Sequence, residues 1–297
     1  MKVPFAYLCV VIVSSTTPLG IVWSSQSVSP TMAVLLRMCI AAVLGTLILL
    51  TTRIRLPMSS NAVKLYSYSA LGIFGGMMCS YLAAGYIGSG LMSLLFGLSP
   101  IVAGLFAQRI LGESKFTPIR WLAFAFAIAG LTIVCWDKIA LAGEAIYGVG
   151  LILFAMVIFS ASGVVIKSIP INIHPLATTL GALYFCIPLF FIAWLVFDGN
   201  TDTTLWTERS VQAIVYLGVF GSLINYIAYF FILQKLSPTT VALVALITPV
   251  FAILLGAQFN NETIALNTII GGSGVLFGLA LYQWNPTKLT VSVKKVC

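Results

Sequence analysis

Apolar residues fill this chain in runs of about twenty, and polar residues gather in short stretches between the runs. Such runs have the length of an α-helix that crosses a hydrocarbon core of about 30 Å. Strands of a membrane barrel would alternate apolar and polar positions in shorter segments, and the runs do not alternate. The pattern predicts an all-α membrane protein with ten transmembrane helices, at about 4–23, 31–51, 66–86, 91–111, 119–136, 146–166, 176–197, 211–233, 239–257 and 266–284.

One pattern within these runs occurs twice. The stretch 90–113 is apolar, holds Pro100 near its middle and closes with Glu113. In 239–262 the same pattern returns, with Pro249 and Glu262 each 149 positions later. Upstream, 71–75 recurs as 217–221 with one conservative change. The repeat indicates that the chain consists of two related halves.

Two five-helix halves follow from this repeat. We predict a first half at 1–137, a connecting periplasmic loop at 138–145, a second half at 146–286 and a basic tail at 287–297. Because five is odd, the second half enters the membrane from the opposite side. Inverted repeats of this kind predict a binding site near the bilayer midplane.

Composition and charge agree with a membrane location. Apolar residues make up 60% of the chain and charged residues 7%, against about 25% charged in soluble domains. On the predicted topology twelve Lys and Arg residues lie inside and only Lys138 and Arg209 outside. This asymmetry predicts cytoplasmic termini in a cell inner membrane, and it accounts for the net charge of +8 without a nucleic-acid partner.

Several short motifs in a fixed order resemble the EamA type of the drug/metabolite transporter superfamily. They are Ser29-Pro30, Arg37, Tyr81-Leu82-Ala83, Gly88-Ser89-Gly90, Ser93-Leu94-Leu95, Ser99-Pro100, Leu111-Gly112-Glu113, Leu236-Ser237-Pro238-Thr239, Thr248-Pro249-Val250-Phe251 and Asn261-Glu262. The resemblance implies a secondary transporter that moves small metabolites outward by alternating access, with amino acids or their analogues as the leading cargo. Drug-like cations, nucleotide-sugars or lipids stay open as other cargoes, and an intramembrane enzyme is a more distant alternative.

Three departures from the family pattern concern the expected cavity and helix ends. The first helix reads Ser14-Ser15-Thr16-Thr17 where many members have Trp-Gly-Ser-Asn. Ala182 aligns with Arg37 in the second half, which therefore lacks a matching base. The ninth predicted helix ends in Asn260-Asn261 instead of Leu-Gly. The first two departures bear on substrate identity more than on fold.

Arg37 is the only charged residue deep within a predicted span. Burying a charge in a bilayer unpaired costs at least about 2.5 kcal/mol, so such a residue is a candidate functional site. One interpretation gives Arg37 a structural or gating role, and the other has it bind a substrate carboxylate. The sequence does not decide between them.

Further polar residues near span centres could line a cavity. The candidates for substrate binding, besides Arg37, are Ser15, Thr16, Ser80, Tyr81, Ser99, Ser160, Asn225, Tyr226 and Tyr229. The alternative is that they form hydrogen bonds between helices, which are worth about 0.6 kcal/mol each. Candidate hinges are Pro18, Pro100 and Pro249, because proline removes a helical hydrogen bond.

Residue patterns that would indicate proton coupling, cofactor binding or catalysis are absent from the sequence. No Asp or Glu falls inside a predicted span, which favours facilitated diffusion or exchange over proton antiport. No phosphate-binding loop, metal-ligand cluster or catalytic constellation is present, so we expect no cofactor, no metal and no enzymatic activity. The expected partners are a small-molecule substrate and the lipid bilayer. A monomer can be sufficient because the repeat supplies both halves, and an oligomer stays open as the alternative.

Overall fold

The computed structural model describes residues 2–141, 143–199, 202–241 and 244–283. Within these ranges the regular structure is helical throughout. The helices are α1 Val3–Ser24, α2 Pro30–Thr52, α3 Ser60–Ala83, α4 Ser89–Phe96, α5 Ser99–Ile110, α6 Pro118–Leu141, α7 Ala145–Ser168, α8 Pro175–Phe197, α9 Glu208–Tyr216, α10 Asn225–Lys235, α11 Pro238–Val241, α12 Val244–Asn260 and α13 Leu266–Gln283. A π-helical segment, Leu217–Ile224, joins α9 to α10. The predicted basic tail lies outside the described residues.

Six stretches of the described chain are long and apolar enough to cross a membrane. They are Val3–Ser24, Pro30–Thr52, Ser89–Ile110, Ala145–Ser168, Pro175–Phe197 and Glu208–Lys235. Shorter apolar helices occupy Pro118–Val134, Ile247–Asn260 and Leu266–Tyr282. Large apolar side chains such as Phe5, Leu50 and Val196 project outward, each about 70% exposed (67%, 68% and 72%). An outer surface of this kind needs lipid around it, which confirms the predicted multi-pass membrane class.

Local sequence sets where several helices begin. Ser29, Ser59 and Thr207 each accept a hydrogen bond from a backbone N–H in the first turn of the following helix. Prolines stand in the first turn of α1, α2, α5 and α8, where a missing N–H costs nothing. These caps begin the helices near the predicted polar interruptions.

Helix boundaries differ from the prediction in several places, and one of them is α3, which begins at Ser60 instead of residue 66. The run predicted as one helix at 91–111 forms two, because α4 ends at Phe96 and α5 begins at Ser99 with Pro100 in its first turn. Helix α6 continues to Leu141, beyond the predicted end at Trp136, so part of the predicted loop 138–145 is helical. The run predicted at 211–233 contains the π-helical segment.

Contacts that helices of the first half make have equivalents among helices of the second half. Helix α1 packs on α10 and α12, as α7 packs on α3 and α5. Helix α4 contacts α12, as α11 contacts α5. Helix α3 also contacts α8, as the π-helical segment contacts α2, and the contacts of α2 with α8 and of α6 with α13 pair equivalent helices directly. The molecule is therefore built around a pseudo-twofold relation between its halves.

The ends of α5 and α12 repeat the same backbone geometry. Gly112 and Asn261 both adopt the left-handed conformation, with φ of 68° and 53°. The N–H of the next residue, Glu113 or Glu262, then bonds to the carbonyl six positions earlier, at 3.3 Å and 3.1 Å. Left-handed residues commonly end helices, and the two copies of this closing turn are 149 positions apart like the prolines.

Candidate functional site

A cavity of about 200 Å³ lies at the centre of the bundle. It is bounded by α1, α2, α3, α4, α5, α7, the π-helical segment, α10, α11 and α12, so both halves contribute to it. Eight of the residues selected from the sequence line this cavity: Pro18, Arg37, Ser80, Ser99, Ser160, Asn225, Tyr226 and Tyr229. The structure thus brings together candidates from distant parts of the chain.

Other selected residues do not line the cavity. The Ser15 hydroxyl donates to the Val11 carbonyl at 2.7 Å within α1. Thr16 exchanges a 2.7 Å hydrogen bond with the Tyr216 hydroxyl on α9. Tyr81 is fully buried away from the cavity.

Two of the proposed hinge residues also lie away from the cavity. Pro100 and Pro249 are both buried and absent from its lining. Pro100 follows the break between α4 and α5, whereas Pro249 lies within α12. Only Pro18 of the three touches the cavity itself.

Four hydroxyl residues line the cavity without having been selected. Ser14 and Thr17 face it from α1, next to the chosen Ser15 and Thr16, because adjacent helix positions point about 100° apart. Ser93 faces it from α4 and Thr248 from α12. Thr248 carried a signal: it stands 149 positions after Ser99, and each residue directly precedes a proline.

Arg37 is fully buried at the wall of the cavity. Its Nε donates to the Ser222 hydroxyl at 2.7 Å and its Nη2 to the Gly221 carbonyl at 2.9 Å. Nη1 has no partner within the described chain. Both partners are neutral, so they orient the guanidinium without neutralising its charge.

The π-helical segment provides both partners of Arg37. π-helical turns interrupt regular helices rarely and occur often at functional sites. Here the segment places the Gly221 carbonyl and the Ser222 hydroxyl against α2. A Cβ added at Gly221 would approach Nη2 to 3.0 Å, so the glycine leaves room for the guanidinium.

Three further polar atoms at the cavity have no partner in the described protein. They are the Ser160 hydroxyl of α7, the Asn225 Oδ1 and the Tyr226 hydroxyl of α10. Buried polar groups are nearly always hydrogen-bonded, so a cluster of unpaired ones requires an explanation. Together with Arg37 Nη1 they give the cavity both donors and acceptors for a solute.

The rest of the cavity wall is apolar. Met77, Met92, Phe96 and Phe159 face the cavity from α3, α4 and α7. Tyr229 packs against Phe159, with ring centroids 5.5 Å apart. Apolar walls with a few placed polar groups are typical of sites for small molecules.

Glu262 ties the two halves together beyond one end of the cavity. Its Oε1 accepts from the Ser89 N–H at 2.9 Å and the Ser89 hydroxyl at 2.7 Å, and its Oε2 accepts from the Gly90 N–H at 3.1 Å. Helix α4 begins after Gly88, which has no side chain to cap it, and the carboxylate takes that role. Burial acts to raise the pKa of Glu262, but the hydrogen bonds from Ser89, Gly90 and Asn260 outweigh it and leave the pKa below its usual value of 4.5.

Other contacts reinforce this end of the bundle. Trp23 Nε1 donates to Asn260 Oδ1 at 3.1 Å, and Asn260 Nδ2 donates to Glu262 Oε1 at 3.2 Å. The Arg209 guanidinium lies 4.1 Å from the centre of a Trp23 ring and donates to the Phe259 carbonyl at 2.7 Å. The ends of α1 and α12 and the starts of α4 and α9 are therefore linked.

Comparisons with known proteins agree with this architecture. A protein of Archaeoglobus fulgidus described as an uncharacterized transporter is 27% identical over 88% of this chain and 91% of its own length. The uncharacterized inner membrane transporter YedA of Escherichia coli K12 is 25% identical over 65% of this chain and 61% of its own length. A solved crystal structure superposes with a TM-score of 0.69 at 17% identity, covering 95% of this chain and 97% of that one, and shares the fold.

The family model gives the assignment. The model of the EamA-like transporter family matches residues 1–136 and again residues 146–283. Two matches to one model agree with the repeated helix ends and the exchangeable packing. The protein therefore belongs to the EamA-like transporter family, within the drug/metabolite transporter superfamily, and is a multi-pass membrane transporter.

Proposed function

We propose that this protein is a ten-span secondary transporter of the cell inner membrane that exports small metabolites, amino acids or their analogues, by alternating access. Its halves, 1–137 and 146–286, would lie in opposite orientations with both termini in the cytoplasm. The observation that carries the proposal is the central cavity, where unpaired polar atoms from both halves converge. The inner membrane location is supported by the relative YedA, which is described as an inner membrane transporter.

The cavity fits a small polar solute with an apolar portion. Arg37 Nη1 can bind a carboxylate, and the Asn225 Oδ1, Ser160 and Tyr226 groups can bind further polar atoms. Met77 and Phe96 can contact an apolar side chain. A buried arginine disfavours the cationic drugs that remained open from the sequence.

Alternating access needs the two ends of the cavity to open in turn. The break between Phe96 and Ser99 and the prolines at 18 and 249 are the proposed points of bending. The link from Glu262 to α4 would then have to open when the cavity opens at that end.

Counterflow in liposomes tests the transport function directly. Purified protein would be reconstituted in liposomes preloaded with one amino acid at a time, and entry of the labelled form followed. Saturable exchange of one class is expected, with at least a fivefold loss of rate in Asn225→Ala or Ser160→Ala. Thr178→Ala is the matched control, because its buried hydroxyl also lacks a partner but does not line the cavity. Equal rates in all three variants would refute this cavity as the transport site.

The proposed topology has a separate test. Alkaline phosphatase, which folds only outside the cytoplasm, would be fused after Gly143 or after Ser59. Activity is expected for the first fusion and none for the second. The opposite result would refute the orientation without affecting the fold.

A further inference from the structure

Charge in the cavity selects among small metabolites. Arg37 contributes one positive charge to the lining, fully buried and paired only with the neutral Ser222 hydroxyl and Gly221 carbonyl. No lining residue of the described cavity is acidic. The cavity is therefore electropositive by one charge before a solute enters.

The acids of the chain lie elsewhere. All seven stand in loops or near helix ends: Glu113, Asp137, Glu144, Asp198, Asp202, Glu208 and Glu262. Glu262, which is part of the link between the halves, is directed at the start of α4. An ammonium group inside the cavity would therefore meet neutral acceptors and the charge of Arg37, and no carboxylate.

We infer that the cavity is a site for organic monoanions, carboxylates with an apolar body and no charged amine, in preference to zwitterionic amino acids. This inference rests on the transport function proposed above and narrows its cargo. A carboxylate bound at Nη1 neutralises Arg37, and the apolar wall of Met77, Met92, Phe96 and Phe159 contacts the body of the solute. A zwitterion leaves the net charge of the cavity unchanged, and it must also desolvate an ammonium group that has no counterion there.

Three ligands with one carbon skeleton test this inference. Leucine is a zwitterion, isocaproate lacks the amino group and is an anion, and leucinol lacks the carboxylate and is a cation. Binding to the purified full-length protein in detergent would be measured by calorimetry in chloride-free buffer at neutral pH. We expect isocaproate to bind at least tenfold more tightly than leucine and leucinol not to bind.

Variants of Arg37 identify the source of the preference. Arg37→Gln should remove the preference for isocaproate over leucine, whereas Arg37→Lys should retain part of it. The comparison of ligands on the wild-type protein stands even if Arg37→Gln does not fold. Chloride that displaces isocaproate in the millimolar range would overturn the assignment to an organic anion.

Failure of this inference is distinguishable from failure of the transport function. Leucine binding as tightly as isocaproate, or no binding by any of the three, overturns the preference for organic monoanions. Amino-acid counterflow in liposomes would still support the transport function in that case. If no amino acid showed counterflow while isocaproate bound tightly, the result would instead support an organic anion as the cargo in place of amino acids.

Discussion

A single carboxylate, that of Glu262, holds two distant helix ends together, and its contribution depends on pH. Glu262→Gln would remove the charge and place an amide NH₂ against one of the N–H donors at Ser89 or Gly90. We expect the free energy of unfolding to fall by about 1 kcal/mol, as for the loss of a helix cap. Thermal unfolding in detergent at neutral pH would show this as a lower midpoint for the variant.

The pH dependence follows from the lowered pKa of Glu262. Its stabilisation is fully present above the unfolded pKa of about 4.5 and is lost as the pH falls through the lower folded pKa. The difference in the free energy of unfolding between wild type and Glu262→Gln should therefore become smaller below about pH 4.5. Glu113→Gln is the matched control, because the described structure gives the Glu113 side chain no hydrogen bond. An equal fall in the midpoint of thermal unfolding in both variants would contradict the capping role.

Some residues of the candidate site could be predicted from the sequence, and others could not. Arg37 could be selected because a lone charge within an apolar run is costly. Its partners could not, because Gly221 and Ser222 lie 184 and 185 positions away and contact it only through the fold. The choice of Ser15 and Thr16 over Ser14 and Thr17 depended on helix rotation, which a uniformly apolar helix does not reveal.

Helices α6 and α13 approach each other closely at glycine positions. A Cβ added at Gly278 would meet the Ala123 carbonyl at 2.7 Å and the Ala127 nitrogen at 2.8 Å, both backbone atoms that cannot rotate away. Gly274 similarly faces the backbone of Gly130. The spacing of Gly274 and Gly278 is typical of helices that pack closely in membranes.

Gly278→Ala should therefore separate α6 from α13. Overpacking of this kind costs about 1–3 kcal/mol, so the midpoint of thermal unfolding in detergent should fall. Gly150→Ala in α7 is the control, because nothing lies within 4 Å of the added Cβ, and its midpoint should be unchanged or slightly higher. A midpoint for Gly278→Ala equal to that of wild type would show that the pair can separate at no cost.

The helices could be predicted from the sequence, but the interruptions within them could be predicted only in part. Pro100 predicted a disturbance in its run, and the structure places a break just before it. The π-helical segment, which packs against α2 in the structure, had no such signal in the sequence. Helix α6 extends past Trp136 through residues that the hydropathy pattern assigned to a loop.

For the whole molecule, the lack of a carboxylate at the described cavity concerns energy coupling. Proton-coupled transporters commonly carry protons on embedded acids. We expect a pH gradient across liposomes containing the protein to leave an exported amino acid at equal concentration on both sides. Concentrative movement that is absent from protein-free liposomes would contradict facilitated diffusion or exchange.

The internal repeat was the most informative feature of the sequence at this scale. The 149-residue offset anticipated the paired helix ends at Gly112 and Asn261. It also relates Ser99 to Thr248, which line the cavity from equivalent helices. The orientation of the halves in the membrane stays a prediction, since it rests on the distribution of positive charge.

Arg37 breaks the pseudo-twofold relation, because the residue aligned with it in the second half is Ala182. A fully symmetric cavity would hold a solute equally well in either of two opposed poses. Under the proposed function, the one guanidinium in the first half would favour a single pose, which exchanging the halves does not reproduce. A solute that kept this pose would not turn around during the proposed transport, so the end that leads on entry would also lead on exit.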